Sequence, residues 1–184
     1  QFSRAGAGFY FPESNQMSIE KEIVPLTLPY SLINRFNHPI HFLNSIKSSN
    51  IPYWNFKTCN SHAYILPAIE AQKLNLPDGL LLNNEDQPIE WIYSNLFIYE
   101  NRVLTTPPLG SGCVDGVMRR ALVEWCRLSD FQIVENPITR NEVEKATLVL
   151  KTNALTGISI SGDANIDSKL LKLLTNFQAH YLSA

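Results

Sequence analysis

The sequence predicts a mixed α/β fold. Short apolar runs are bounded by turn-forming residues, which is typical of β-strands. Elsewhere apolar residues recur at the spacing of amphipathic α-helices, and two of these helices have recognisable capping residues. The chain has 184 residues, of which 45% are hydrophobic, so it can bury the core of one sizeable domain, or of one domain with part of a second.

The composition argues against several classes of function. A net charge of −2 gives no reason to expect binding to nucleic acid or to a membrane surface, and no apolar run is long enough to span a bilayer. Cys59, Cys113 and Cys126 are widely spaced, so we expect neither a disulfide scaffold nor a zinc site. His38 and His41 have no acidic or thiol partner at metal-ligand spacing, and we expect no metal. A reducing cytoplasm suits this cysteine usage.

The first half of the chain predicts few regular elements. A strand is expected over residues 20–28, and the polar stretch 34–55 is expected to form a connecting loop with a short helix. Apolar residues recur at helical spacing over residues 61–74, which predicts a helix interrupted at Pro67. The run Leu80-Leu81-Leu82 predicts a buried strand.

The second half predicts alternating strands and helices. Residues 96–99 and 103–106 flank Glu100-Asn101-Arg102, which indicates a tight β-hairpin. A helix is expected around Met118 and Trp125, with Asp115 as its N-cap. Three further elements are expected: a helix that begins at the capping box Thr139-x-x-Glu142, a strand over residues 147–150, and a closing helix over residues 167–181 with Leu170, Leu171, Leu174 and Phe177 on its apolar side.

Two charged residues stand in apolar surroundings. Lys57 follows Trp54 and Phe56, which could form an apolar wall, and desolvation there would free the amine for attack on an aldehyde. Glu90 directly precedes a strongly apolar hairpin, so a carboxylate held there would be buried and would need a partner. The simpler interpretations are a solvated lysine and a carboxylate on the outer face of an edge strand.

Two other segments offer groups that can bind an anion. Gly116 precedes a predicted helix, so the amides of Val117 and Met118 would lie at its positive end, and a glycine there would let a ligand approach the backbone. The run Thr152-Asn153-Ala154 at a strand end would supply hydroxyl, amide and backbone donors. A capped helix and an Asx turn have the same composition without any ligand.

In their order and spacing, five strings resemble the class IV aminotransferases, which are fold-type IV pyridoxal phosphate (PLP) enzymes. The strings are Lys57-Thr58-x-Asn60, Glu90 with Ser94-Asn95-Leu96-Phe97, Thr106-Pro107-Pro108, Gly116-Val117-Met118-Arg119 and Thr152-Asn153-Ala154-x-x-Gly157-Ile158. The resemblance implies the α/β pseudo-barrel domain of that fold type, preceded by the end of a smaller α+β domain.

The resemblance also implies roles for individual residues. Lys57 would be the Schiff-base lysine and general acid/base, and Glu90 would be the partner of the pyridine nitrogen. The residues implied around the phosphate are Val117, Met118, Asn153 and Ala154. The implied cofactor is pyridoxal 5'-phosphate, and the implied partners are a small-molecule substrate and a second copy of the chain in a homodimer, with neither nucleic acid nor a membrane.

Within the family, Gly-Val-Met-Arg and Thr-Asn-Ala are similar to the aminodeoxychorismate lyase branch, whereas branched-chain aminotransferases usually carry threonine at the position of Met118. We therefore expect a lyase that converts 4-amino-4-deoxychorismate to 4-aminobenzoate and pyruvate, a step toward folate. The alternatives are a branched-chain or D-amino-acid transaminase and a non-catalytic family member that acts as a binding or dimerisation module.

The N-terminal segment resembles only the end of the domain that precedes the cofactor domain in this family. Residues 4–12 are similar to its late strands, so the chain is expected to begin partway through that domain. The expected division is a remnant of the N-terminal domain over residues 1–30, an interdomain linker over 31–54 and the PLP-binding domain over 55–184. One departure from the family pattern is Ser61, at a position that often holds an aromatic or basic residue.

Overall fold

The computed structural model describes residues 2–4, 16–23, 25, 33–48, 53–58, 62–162 and 166–182. These residues form eleven strands and four α-helices, which confirms the prediction of a mixed α/β fold. The strands are β1 (Phe2–Arg4), β2 (Met17–Ile19), β3 (Ile33–Phe36), β4 (Phe42–Ser48), β5 (Leu80–Asn83), β6 (Pro88–Trp91), β7 (Asn95–Glu100), β8 (Val103–Thr106), β9 (Ile133–Glu135), β10 (Leu148–Asn153) and β11 (Gly157–Ser161). The helices are α1 (His62–Lys73), α2 (Val117–Leu128), α3 (Arg140–Lys145) and α4 (Ser168–Leu182), and a 3-10 turn covers Leu109–Ser111.

Nine of these strands form one sheet, whose main path runs β3-β11-β10-β7-β6-β5-β4. Strand β7 is the branch point. Its first residue pairs with β6, its last three residues pair with β8, and β8 then pairs with β9. The pairs β3–β11, β4–β5 and β8–β9 are parallel, and the other pairs of this sheet are antiparallel. Strands β1 and β2 form a separate antiparallel pair.

Both faces of the large sheet are buried, because successive strand residues point to opposite faces and helices cover each of them. On one face Phe97 packs in a cluster with Leu122 of α2 and Phe177 of α4. The neighbouring Leu96, on the other face, belongs to a second cluster that includes Val143 of α3. No helix in the described part of the chain is long and apolar enough to cross a bilayer.

The predicted hairpin over residues 96–106 is confirmed. Strands β7 and β8 pair with Glu100 opposite Val103. Asn101 and Arg102 between them have φ angles of 50° and 66°. Two successive residues with positive φ are typical of a type I′ turn, whose twist matches that of the flanking strands. This sharp turn keeps β7 and β8 adjacent.

Several other predicted elements are confirmed. The strand at residues 80–82 is β5, and the capping box begins α3 with both of its reciprocal hydrogen bonds. The helix expected over 61–74 is α1, but the interruption expected at Pro67 is wrong, because α1 runs through this residue. The closing helix is α4, with one change in its apolar side. Leu171 is 48% exposed, and Leu173 is buried instead, together with the other three predicted residues.

Two predictions for the N-terminal half are wrong. Strands β3 and β4 lie where a loop with a short helix was expected, and they occupy the two ends of the main sheet path. The described residues of the range 20–28 contain no strand, and β2 lies before them. The division into a remnant, a linker and a cofactor domain stays a prediction, and Cys59, Asn60 and Ser61 lie outside the described residues.

Candidate active site

A cavity of about 530 Å³ lies where β6, the end of β10 and the N-terminus of α2 meet residues 53–58. It is lined by every residue for which the sequence predicted a catalytic or cofactor-binding role: Lys57, Glu90, Val117, Met118, Asn153 and Ala154. Among its described lining residues, Lys57 is the one basic side chain and Glu90 is the one acidic side chain. The fold therefore brings four distant parts of the chain to one place.

Glu90 is a buried carboxylate with two hydrogen bonds from the protein. Strand β6 is buried along its length, and Glu90 is 3% exposed. Its Oε1 accepts a hydrogen bond from the Tyr64 hydroxyl at 2.8 Å, and its Oε2 accepts one from the Val114 N–H at 3.1 Å. These bonds orient the carboxylate and offset part of the cost of removing it from water.

The charge on Glu90 is incompletely compensated. Burial raises the pKa of Glu90 to about 7, although the hydrogen bonds from Val114 and Tyr64 and the positive charge of Lys57 act in the opposite direction. A further cation in the cavity would favour the ionised carboxylate. A protonated ring nitrogen is a suitable cation of this kind.

The segment that carries Lys57 is tied to the loop before α2. Asn55 donates from Nδ2 to the carbonyl oxygens of Leu109 at 2.9 Å and Cys113 at 2.7 Å. The carbonyl oxygen of Asn55 accepts a hydrogen bond from the Asp115 N–H at 2.9 Å. These three bonds hold the lysine segment beside the helix end, two residues before Lys57.

The apolar wall expected beside the lysine is only partly formed. Trp54 is half-buried and lines the cavity, but Phe56 is 67% exposed and Lys57 itself is exposed. His62 is exposed and is not among the residues that line the cavity.

The N-terminus of α2 faces the cavity without a side-chain cap. The N-cap residue is Gly116, and no side chain accepts a hydrogen bond there. The prediction that Asp115 caps this helix is wrong, because the N-cap position is Gly116, and the Asp115 carboxylate instead forms an ion pair with Arg120 at 3.1 Å. The first-turn N–H groups, which include those of Val117 and Met118, have no partner within the helix, and the helix dipole makes this end positive. Such an end can bind a phosphate.

The buried Arg119 fixes the position of this helix end. Arg119 is 3% exposed, and its NH2 group donates to the Pro107 carbonyl oxygen at 2.9 Å. The same group lies 2.7 Å from the carboxylate of Glu135 on β9. The arginine therefore joins α2 to the ends of β8 and β9, which gives a structural reason for the arginine and proline in two of the five strings.

The end of β10 contributes a buried hydroxyl group. Thr152 is 1% exposed, lines the cavity, and its Oγ1 has no hydrogen-bond partner among the described residues. The Asn153 carboxamide, in contrast, is used inside the turn. Its Oδ1 accepts hydrogen bonds from the N–H groups of Leu155 and Thr156, each at 2.8 Å, and its Nδ2 donates to the Tyr93 carbonyl oxygen at 3.1 Å. The Asx turn is thus present, and the Thr152 hydroxyl is the side-chain group of this run left for a ligand.

Three residues that position the site were not identified from the sequence: Tyr64, Asn55 and Asn95. Asn95 pairs with Glu90 across the β6–β7 hairpin, and its Nδ2 donates to the Val114 carbonyl oxygen at 2.7 Å. Asparagines and tyrosines are common in any protein, so residue type alone assigns none of the three a role at a site, although Asn95 belongs to one of the five strings. Their roles follow from contacts between distant segments.

The donors and acceptors of the cavity fit PLP. Lys57 supplies an amine, Glu90 supplies a buried carboxylate with incomplete compensation, and the uncapped end of α2 supplies N–H groups for a phosphate. The unpaired Thr152 hydroxyl is a further donor inside the same cavity. Within the described ranges, no group of three or more His, Cys, Asp or Glu residues is arranged to hold a metal ion.

Comparison with known proteins agrees with this site. A family model described as amino-transferase class IV matches residues 1–161. Aminodeoxychorismate lyase of Vibrio harveyi is 27% identical over 107 residues, which make up 58% of this chain and 40% of that protein. The chain therefore spans less than half of the length of this relative.

Solved structures share the fold. The 4-amino-4-deoxychorismate lyase of Pseudomonas aeruginosa aligns with a TM-score of 0.66 and 22% identity, over 80% of this chain and 56% of that one. A branched-chain amino acid aminotransferase from Thermobaculum terrenum, solved in its PLP form, aligns with a TM-score of 0.69 and 16% identity, over 81% of this chain and 52% of that one. These likenesses confirm the predicted fold type.

Proposed function

Because this chain belongs to the class IV aminotransferase family, whose members use PLP, we propose that it carries the cofactor-binding part of an enzyme that acts on a small amino compound. One observation carries the proposal: Lys57, Glu90 and the N-terminus of α2 line the same cavity. They offer an amine, a carboxylate and an anion site, which are the three groups that PLP needs.

Each group has a distinct proposed task. Lys57 bonds to the cofactor aldehyde and moves the proton at the substrate α-carbon. Glu90 holds a proton at the pyridine nitrogen, since a nearby carboxylate favours the cationic form of a base. The phosphate is held by the α2 N-terminus near Val117 and Met118, by the Thr152 hydroxyl and by the Asn153-Ala154 backbone. When bound, PLP supplies an electron sink for a substrate carbanion.

For the reaction, we propose the elimination of pyruvate from 4-amino-4-deoxychorismate to give 4-aminobenzoate, a step toward folate. Met118 in the first turn of α2 and Asn153-Ala154 after β10 support this branch, as does the name of the Vibrio harveyi relative. In this reaction Lys57 removes the α-proton, and the pyruvate-derived fragment leaves as the ring becomes aromatic. A cytoplasmic homodimer is part of the same proposal.

A transaminase that acts on branched-chain or D-amino acids is the second candidate. The Thermobaculum terrenum aminotransferase shares the fold, and transamination would use Lys57 and Glu90 in the same positions. A non-catalytic module is the third candidate. It is disfavoured by Glu90, because a buried carboxylate without full compensation is costly to keep where no ligand uses it.

The cofactor part of the proposal is tested by reduction of the full-length protein with borohydride in the presence of PLP. Peptide mapping should find the pyridoxyl adduct on Lys57. The variant Lys57→Ala should give no adduct, and Lys73→Ala, at the far end of α1, should label as the wild type does. An adduct on another lysine, or none in the wild type, would contradict the proposal.

The reaction is tested by two assays run side by side on the same preparation. One couples pyruvate release from 4-amino-4-deoxychorismate to lactate dehydrogenase, and the other measures amino transfer from branched-chain and D-amino acids to 2-oxoglutarate. We expect faster pyruvate release than amino transfer. Amino transfer without pyruvate release would reject the lyase and leave the transaminase, and inactivity in both assays with a labelled Lys57 would reject both substrate classes.

A further inference from the structure

The Tyr64 hydroxyl donates a hydrogen bond to the buried Glu90 carboxylate. It lies 2.8 Å from Oε1, and the other oxygen is taken by the Val114 N–H at 3.1 Å. With one donor on each oxygen, the plane and the direction of the carboxylate are both fixed. The backbone donor would remain in any variant of position 114 except proline, whereas the hydroxyl depends on Tyr64 alone.

The Tyr64 ring is held independently of this hydrogen bond. It is half-buried and packs against a cluster that contains Leu43 of β4 and Ile89 of β6. Helix α1 is attached to β4 by Glu70, whose carboxylate accepts hydrogen bonds from the N–H groups of Asn44 and Ser45 at distances of 2.7 to 3.1 Å. A phenylalanine at position 64 would therefore keep its place and would remove only the donor.

Tyr64 lies seven residues after Lys57 in the sequence. Its hydrogen bond joins α1 to β6, so a displacement of α1 would change the orientation of Glu90.

Within the part of the chain that the structure describes, three ionisable groups act on Glu90 or respond to its charge. They are Tyr64 from α1, Lys57 from the segment before it, and Cys113 from the loop before α2, with the Val114 N–H as the backbone donor. Burial raises the pKa of Cys113 to about 12, so it stays a neutral thiol. Burial and the charge of Glu90 raise the pKa of Tyr64, so its hydroxyl stays protonated and remains a donor.

We propose that Tyr64 is the positioning residue for Glu90: its hydroxyl directs the carboxylate into the cavity and favours the ionised form that a protonated pyridine nitrogen requires. The proposal rests on the proposed role of Glu90 toward PLP. It gives Tyr64 a function that acts through Glu90, without contact of Tyr64 with the reacting atoms.

The direct test is a titration of Glu90 in PLP-free protein by ¹³C NMR, with glutamate labelled at the carboxyl carbon. The Glu90 signal is identified by its loss in Glu90→Gln. In Tyr64→Phe we expect the pKa of Glu90 to rise by about one pH unit, because the donor that stabilises the ionised form is gone. Tyr181→Phe is the control, since Tyr181 lies on α4 with its ring against Trp125 and Phe177, and it should leave the titration of Glu90 unchanged.

A second variant changes the hydrogen bond in the opposite direction. Incorporation of 3-fluorotyrosine at position 64 keeps the ring and makes the hydroxyl a stronger donor, so the pKa of Glu90 should fall. If Tyr64→Phe does not fold, this variant alone tests whether the Tyr64 hydroxyl controls the pKa of Glu90. A role of Tyr64 limited to packing predicts the same Glu90 titration in all three proteins, and that result would overturn the proposal.

The consequence for the cofactor is measured with PLP labelled with ¹⁵N at the pyridine nitrogen. In the wild type the nitrogen should stay protonated to a higher pH than in Tyr64→Phe. If the wild type does not bind PLP, the proposed function fails, while the titration of the PLP-free protein still decides whether Tyr64 controls Glu90. An equal nitrogen titration in the two loaded proteins would reject the role of Tyr64 toward the cofactor.

Discussion

The Asn95 carboxamide occupies the space in which a side chain at position 116 would lie. A Cβ built on Gly116 would overlap Oδ1 of Asn95, while Nδ2 of the same carboxamide donates to the Val114 carbonyl oxygen. Gly116 has a φ of −67°, which any residue can adopt. The glycine at the start of α2 is therefore required by the close approach of Asn95, and the sequence-based reason, close approach of a ligand, is not needed to explain it.

The close approach of Asn95 to Gly116 predicts that Gly116→Ala will destabilise the protein and weaken PLP binding. Gly116→Ala should displace Asn95 and break its hydrogen bond to the Val114 carbonyl oxygen. The Val114 N–H, which donates a hydrogen bond to Glu90, should then move as well. We expect a loss of stability of about 1 to 3 kcal/mol, typical of an overpacked site, with weaker PLP binding. Urea unfolding and PLP titration measure the two effects. Gly110→Ala is the matched control, since a Cβ there has no atom within 4 Å, and an equal loss in both variants would contradict the explanation.

Replacement of Glu90 should separate turnover from cofactor binding. In Glu90→Gln, the amide cannot hold a proton at the pyridine nitrogen as a carboxylate does, so we expect turnover to fall by roughly a hundredfold or more. The phosphate contacts remain, and PLP should still bind. The exposed carboxylate in Glu85→Gln is the control and should leave turnover unchanged. Wild-type turnover in Glu90→Gln would remove this residue from the mechanism.

The raised pKa of Glu90 predicts a dependence of stability on pH in the PLP-free protein. Between its ordinary value of 4.5 and its folded value of about 7, the folded protein keeps a proton on Glu90 that the unfolded chain has lost. Stability therefore falls as the pH rises through this window, by about 3 kcal/mol in total. Glu90→Gln is neutral at every pH and should lack this fall.

Other carboxyl groups act in a different pH window. Hydrogen bonds lower the pKa of Glu70 and of Glu135, so the stability they contribute is lost as the pH drops below about 4.5. Urea midpoints of the wild type and Glu90→Gln at about pH 5 and about pH 8 isolate the effect of Glu90. If the urea midpoint changes equally between the two pH values in both proteins, Glu90 does not cause the fall in stability.

Two arginines bind the same carboxylate and should differ strongly in their contribution to stability. Arg119 and Arg127 each approach Glu135 at 2.7 Å, but the side chain of Arg119 is 4% exposed and that of Arg127 is 65% exposed. Arg119→Gln should cost roughly 2 to 4 kcal/mol, because it leaves the buried Pro107 carbonyl without its donor and removes the buried member of the ion pair with Glu135. Arg127→Gln should cost less than about 1 kcal/mol. Thermal unfolding of both variants provides the comparison, and equal losses would contradict the role of burial.

Thr152 offers a test of the cavity that does not depend on turnover. Thr152→Val removes a buried hydroxyl that has no partner within the described residues, and it keeps the side-chain shape. The PLP-free protein should therefore be as stable as the wild type or slightly more stable. Affinity for PLP, followed by absorbance, should fall roughly fivefold, as expected for one lost hydrogen bond. Unchanged affinity would remove the hydroxyl from the phosphate site.

Features that depend on neighbours in the chain could be predicted from the sequence. The hairpin at Asn101 and Arg102 and the capping box at Thr139 and Glu142 were predicted correctly, because a few adjacent residues determine their backbone geometry and their hydrogen bonds. The spacing of apolar residues similarly predicted α1, but the interruption predicted at Pro67 is wrong, because the helix continues through this residue.

Two failures have different physical causes. Asp115 was predicted to cap α2, but the helix begins at Val117 with Gly116 as its N-cap, and the Asp115 carboxylate pairs with Arg120 instead. The polar range that includes Asn34 and Asn44 was predicted to be a loop with a short helix, but partners far along the chain make it the two end strands of the sheet. Only the second failure depends on residues that are distant in the sequence.

The sequence by itself determined which chemical groups this protein has and the order in which they occur: an amine at Lys57, a carboxylate at Glu90, and a glycine before α2. Only the tertiary structure decided their surroundings. Burial of Glu90 beside Tyr64 and Val114 sets its pKa, and the turn uses the Asn153 carboxamide while the Thr152 hydroxyl remains unpaired. The reason is that desolvation and hydrogen bonding depend on which distant segments meet, and a linear pattern carries that information only in part.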